Sequence, residues 1–155
     1  MEPKILSPAA FTLRPLTHAD VDWLLALRNR DEVRAASRDP TPIPRRDHLR
    51  WLARVLEPDA PPCAWVATLD GQPVGYVRLA WAPVPPQVSW ALVPEVRGRG
   101  LGTALLRLAV EGPLARRPLA AIIRDDNRPS RRSAEAVGFT LEDTLHGWCH
   151  YVRYP

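Results

Sequence analysis

The 155 residues are 46% hydrophobic and 25% charged, ordinary proportions for a globular chain long enough for one domain and a core with a cleft in it. No apolar run approaches the roughly 20 residues of a membrane span, and residues 1–10 lack the basic start and long apolar stretch of a secretion signal, so a cytoplasmic protein without a membrane partner is expected. The net charge of +4 is uneven: residues 97–132 hold nine arginines against Glu111, Asp125 and Asp126, a local +6 that suits an anionic ligand.

In chain order, Phe11 and Leu13 alternate with Thr12 and Arg14 as a first strand. Thr17, with Asp20 three residues on, makes a capping box for a helix running to about Arg30. A second helix is expected over Arg45 to Leu56, with Leu49, Leu52, Ala53 and Leu56 buried. Ala64 to Leu69 and Val74 to Trp81 read as strands joined by the hairpin signal Asp70-Gly71. Gln87 to Val93 is a further strand. Leu101, Ala104, Leu105, Leu108 and Ala109 form the stripe of a helix packed on a sheet. A short strand, Leu119 to Ile123, precedes a helix from about Pro129 to Val137 that Gly138 ends. Two closing strands follow, near Phe139 to Glu142 and His146 to Arg153. The order β-α-α-β-β-β-α-β-α-β-β is a mixed α/β domain, one unit over 1–155 with its core at about 11–153.

Arg97-Gly98-Arg99-Gly100-Leu101-Gly102-Thr103 joins a strand to a helix. Alternate glycines bare the backbone amides, and the helix start adds unpaired N–H groups and a positive dipole end, a nest for a pyrophosphate. A P-loop would need Gly-Lys-Ser/Thr at the helix start, and a dinucleotide fingerprint would need glycine at 103 or 105, which are Thr and Leu. Neither fits. Metal binding is not expected, because Cys149, His146 and His150 lack a fourth ligand and Cys63 stands far from them.

The segment does fit Arg/Gln-x-x-Gly-x-Gly/Ala. With its strand, helix, next strand, Asn127, second helix and Gly138-Phe139, the chain resembles the GNAT superfamily of N-acetyltransferases over nearly all of 11–153. The resemblance implies a GNAT-like acyl-CoA N-acyltransferase fold, acetyl-CoA as cosubstrate and no metal. It implies that Arg97 to Thr103 hold the pyrophosphate. It further implies that the strand before the loop splays from its neighbour, so that the pantetheine arm pairs with backbone at Leu92, Val93 and, at the loop entry, Glu95 and Val96. Asn127 then reads either as a cofactor contact or as a helix N-cap, and Ser130 as a cofactor contact.

Transfer to an amine needs a neutral nitrogen and a proton for the departing thiolate. Where many relatives carry a tyrosine, this chain has Ala134. Ser133 stands beside it and is implied as the donor, as in the branch containing ribosomal-protein N-terminal acetyltransferases. Gln87 falls where relatives often carry a basic glutamate, and an amide takes no proton. The base is then a histidine, a water chain or no residue at all; His48, with Trp51 one helical turn away, is the preferred histidine, its other reading being a surface helical residue. Arg28, Asn29, Arg34, Ser37, Ile43, His48 and Trp51 also resemble the pattern of acetyltransferases acting on nucleotide-linked amino sugars. That implies Arg28, Asn29, Arg34 and Trp51 as acceptor contacts; their other reading is packing of a lid. The partner is thus a small-molecule or peptide amine taken up by a monomer or homodimer, best an amino sugar nucleotide, then a protein N-terminus, then a small polyamine or antibiotic. The alternatives are a non-catalytic acyl-CoA-binding domain and a nucleic-acid-binding module, and against the second residues 97–132 contain no aromatic for base stacking.

Overall fold

A computed structural model describes residues 11–155; the reading of residues 1–10 lies outside them. Seven strands form one sheet in the order β1-β2-β3-β4-β5-β7-β6. β1 (Phe11–Pro15) leads into a 3-10 turn (His18–Asp20) and α1 (Val21–Arg28). The expected cap is present: the Thr17 N–H donates to Asp20 Oδ2 at 2.9 Å. Asp20 is buried and also grips the Arg14 guanidinium in a two-pronged pair at 2.7 and 2.8 Å. These bonds hold its carboxyl below the usual range, Arg14 contributing most.

α1 stops at Arg28, short of the expected Arg30, and a short α2 (Asp31–Ala35) with no clear periodic signal follows. α3 spans Arg45–Val55, and its buried face differs from expectation. His48 and Leu52 point inward with Trp51 and Val55 beside them, whereas Leu49 and Ala53 face solvent. A histidine displaces a leucine from the interior here because both its ring nitrogens find partners inside.

β2 (Ala64–Leu69) and β3 (Gln72–Ala80) form the hairpin, with Asp70 and Gly71 at φ 50° and 80° as a two-residue primed turn requires. β4 (Gln87–Leu92) pairs antiparallel with β3 along its whole length. A 3-10 turn (Pro94–Val96) precedes α4 (Leu101–Glu111). The buried stripe of α4 is Leu101, Leu105, Leu106, Ala109 and Val110, so Leu108, expected inside, is exposed. β5 (Leu119–Arg124), α5 (Arg128–Ala136), β6 (Thr140–Leu145) and β7 (Trp148–Arg153) complete the chain. His146 is not in a strand as expected. It forms the β6–β7 turn with Gly147, at φ 51° and 82°.

The strand alternation sends side chains to two cores. Trp65, Ala67, Val77, Leu79 and Val88 pack with α4 and with Ala134 and Val137 beneath one face. Val66 joins Leu16, Leu24 and Leu52, with Tyr76 beside them, under α1 and α3 on the other. β4 and β5 run parallel and are paired in register only at Gln87↔Ala120, with the Ala120 N–H donating to Pro86 O at 2.8 Å. Beyond that point the two strands part.

Candidate active site

The gap begins with backbone chemistry. Val93 N–H donates to Val74 O at 2.8 Å, which sets the alternation of the antiparallel β3–β4 ladder. The polar backbone groups of Trp90 and Leu92 therefore face away from β3, toward the space β5 has vacated. An unpaired strand edge is a template for an extended ligand. Of the expected backbone positions, Glu95 and Val96 fall in the 3-10 turn and do not line the cleft, whereas Leu92 lies on this free side. Val93 does not, because Val74 takes its N–H. Arg97 Nη2 donates to the Leu92 carbonyl at 3.1 Å, covering part of the exposed edge.

The loop closes one end of the gap. Gly98 and Gly100 hold φ of 78° and 74°, a region that costs other residues about 1–2 kcal/mol, and no atom lies within 4 Å of where a Cβ would stand on either. Gly100 is the residue preceding α4, so the amides at the helix start are bare. Gly102 is glycine for a different reason: a Cβ there would sit 3.3 Å from Ser133 Oγ. That close approach brings α5 against the loop, where Thr103 Oγ1 donates to Ser133 Oγ at 3.1 Å. Arg97, Gly98, Gly100, Leu101, Gly102 and Thr103 line the cleft. Arg99 is exposed and does not line it.

Ser130, Ser133 and Asn127 border the same space. Asn127 is the α5 N-cap, its Oδ1 accepting from Ser130 N–H at 3.3 Å, and its side chain still meets the cleft. Ser133 is almost wholly buried. Because its oxygen accepts from Thr103, its own O–H is left to donate elsewhere. Behind it, Tyr151 donates to Glu135 Oε1 at 2.8 Å and accepts from Arg131 Nε at 3.0 Å, bolting α5 to β7.

The cleft continues to the face carrying α1 and α3 and encloses about 1000 Å³, ample for a drug-sized ligand. Arg28 and Arg34 line it; Asn29, His48 and Trp51 do not. Asn29 spends its amide on the loop, pairing with both Ile43 N–H and Ile43 O at 2.8 and 3.0 Å. Arg34 donates from Nε to Pro40 O at 2.9 Å. His48 is fully buried, with Nε2 3.0 Å from Val21 O and Nδ1 3.4 Å from Arg28 Nη1. Burial, chiefly, and the nearby arginines hold its pKa below 6.5, so it is a neutral support for Arg28. Trp51 stacks on His48 at 5.8 Å and carries Arg28 over its ring at 5.1 Å.

Three further residues on the cleft wall escaped the sequence reading. Tyr76 and Arg78 project from β3 beside Arg28, and Arg124 at the end of β5 donates to Ala35 O at 2.7 Å. The one signal for the first two was an arginine and a tyrosine alternating with Val77 and Leu79. Gln87 also lines the cleft, as an amide. Among the described residues there is no group of three or more His, Cys, Asp or Glu placed to hold a metal, and no helix long and apolar enough to cross a membrane.

The family model described as acetyltransferase (GNAT) domain matches residues 10–140. No curated protein sequence matches the chain. Among solved structures, AAC(6')-Ib in complex with paromomycin and acetyl-CoA is 23% identical with a TM-score of 0.74, covering 94% of this chain and 93% of that one. Spermidine N-acetyltransferase from Vibrio cholerae, in complex with CoA and spermine, is 16% identical with a TM-score of 0.77, covering 93% and 95%. A domain from Methanocaldococcus jannaschii is 17% identical at 0.75, covering 92% and 96%. At such identities the likeness establishes the shared fold.

Proposed function

This chain belongs to the acetyltransferase (GNAT) family and is an acetyl-CoA-dependent N-acetyltransferase; from that premise we propose that it acetylates, by direct attack in a ternary complex, a primary amine entering between the α1–α2 segment and β4. The observation that carries this reading is the meeting, in one cleft, of the free β4 edge, the bare-amide loop and the Ser133 hydroxyl. The residues suited to hold acetyl-CoA are Leu92 through its backbone, Arg97, Gly98 and Gly100 to Thr103 through amides and the Arg97 charge, and Asn127 and Ser130 beyond them. Bound there, it supplies an activated thioester.

The remaining chemistry falls to this chain's own side chains. Ser133, held by Thr103, donates its proton to the departing thiolate and regains one, through water, from the newly acylated nitrogen. Gln87 cannot serve as a base, and His48 is enclosed, so the amine sheds its proton to water before attack. Arg28 and Arg78, both beside the acceptor space, favour that neutral form by repelling an ammonium. A basic wall of this kind supports an amino sugar nucleotide as acceptor ahead of a protein N-terminus. Polyamines and aminoglycosides, the amines of the neighbours' complexes, rank below both.

The deciding experiment is thiol release from acetyl-CoA with a panel of an amino sugar nucleotide, an N-terminal peptide, spermidine and kanamycin. Turnover with one of the first two is expected. Tight CoA binding with release for none of them would overturn the catalytic assignment in favour of an acyl-CoA-binding domain.

A further inference from the structure

Two guanidiniums stand over the Trp51 ring: Arg28 at 5.1 Å and Arg78 at 5.8 Å from its centre. Both line the cleft, and so does Tyr76, two residues before Arg78 on the same face of β3. Such proximity of like charges is unfavourable unless something offsets it. Burial first, and then Arg78, lower the pKa of Arg28 to about 10, while Tyr76 opposes them. Among the described residues neither arginine has a carboxylate oxygen within 4.0 Å. The stacked indole and the His48 nitrogen hold Arg28 in place without neutralising it.

Of the carboxylates that line this cleft, two face arginines other than this pair and Asp39 has a backbone partner. Asp126 is paired with Arg124 at 2.9 Å, Asp39 accepts from Thr41 N–H at 3.0 Å, and Glu32 faces Arg30 at 4.0 Å. A polycation would find no unpaired acid beside Arg28 and Arg78. An anion would find two donors of fixed direction and a phenol.

The position separates this pair from the cofactor loop. Arg78 lies opposite Ser89 in the β3–β4 ladder, three residues before Leu92. At about 3.3 Å per residue that is roughly 10 Å along the strand from the loop entrance. The pair's neighbours Trp51 and Tyr76 pack with the core under α1 and α3, whereas α4 and Ala134 belong to the core on the other face.

We propose that Arg28 and Arg78, braced on Trp51, form an anion subsite that selects an acceptor amine bearing a phosphate or carboxylate. Arg78 is its specificity-determining residue, and Tyr76 lends a hydroxyl. This rests on the acetyl-transfer reading for its biological sense, but the subsite can be read out without turnover.

The test uses the full chain saturated with CoA, so that the loop is already filled. Calorimetric titration with glucosamine 1-phosphate, glucosamine 6-phosphate, glucosaminic acid and glucosamine itself compares phosphate, carboxylate and neutral arms. Thiol release measures the same amines with acetyl-CoA. The anionic members are expected to bind about tenfold to a hundredfold more tightly than glucosamine, the range of one or two charge-assisted hydrogen bonds. R78Q should collapse that ratio, and R78K should keep part of it. Thermal melts of both variants show that they are folded. Equal affinity for charged and neutral members, or an unchanged ratio in R78Q, overturns the subsite whether or not acetyl is transferred. Selective binding of the anions with no thiol release leaves the subsite standing and sinks the transfer reading instead.

Discussion

Gly71 and Gly100 offer a controlled test of what the loop does. Both have positive φ, 80° and 74°, and a Cβ added to either meets nothing within 4 Å. Alanine in this region costs about 1–2 kcal/mol. The stiffer unfolded chain returns about 0.4–1 kcal/mol. The net loss is about 1 kcal/mol at each site, and for a chain of this size that lowers the melting temperature by roughly 2–4 °C. Gly71→Ala and Gly100→Ala should therefore melt alike by circular dichroism. They should part in acetyl-CoA binding by calorimetry: Gly71 turns the β2–β3 hairpin, while Gly100 sits before α4 in the cleft wall. Gly100→Ala is expected to weaken binding by about tenfold, the effect of one misplaced amide or about 1.4 kcal/mol. Gly71→Ala should leave it unchanged. Equal affinities in the two variants would refute the loop as the pyrophosphate site, and an unshifted Gly71→Ala melt would refute the strain argument.

Ser133→Ala removes the proposed proton donor. Stopped-assay kinetics should show kcat lower by about a hundredfold with acetyl-CoA affinity changed little; a fall in affinity alone would make Ser133 a binding residue. His48 is neutral and its pKa is depressed in the folded state, so below the ordinary 6.5 the unfolded chain binds the extra proton. Stability should be full above pH 6.5 and decline as pH falls from there toward the lowered value. Urea titrations of His48→Gln, a polar variant that does not titrate, should lose that segment of the pH dependence. Asp20→Ala strips the buried partner from Arg14 and from the Thr17 N–H, and urea unfolding should register a loss of about 2 kcal/mol. Tyr151→Phe breaks the link among Arg131, Glu135 and β7, at about 1 kcal/mol by the same measurement.

The local patterns in this chain were sufficient for much that is decided within a few residues, the His146-Gly147 turn being the exception. Asp70-Gly71 determines a primed turn through positive φ, Thr17 and Asp20 determine a capped start, and Arg97 to Gly102 announce bare amides before a helix. The family and the glycine loop's backbone were legible for that reason. Boundaries also survived where a proline or glycine enforces them, as at Gly138. What eluded the sequence depended on rotation and register. Whether α3 buries His48 or Leu49 turns on about 100° of helix phase, settled by the Val21 carbonyl and Arg28, 27 and 20 residues away. The side of β4 that stays unpaired follows from the ladder phase, which Val74 and Val93 set together. Asn29 reads as an acceptor contact until the Ile43 backbone occupies both ends of its amide. Arg78 is one arginine among many in the sequence. It becomes chemically distinctive only when β3 and α3 bring it, with Arg28, to the same indole, because the meaning of a charge is set by its neighbours and those come from distant parts of the chain.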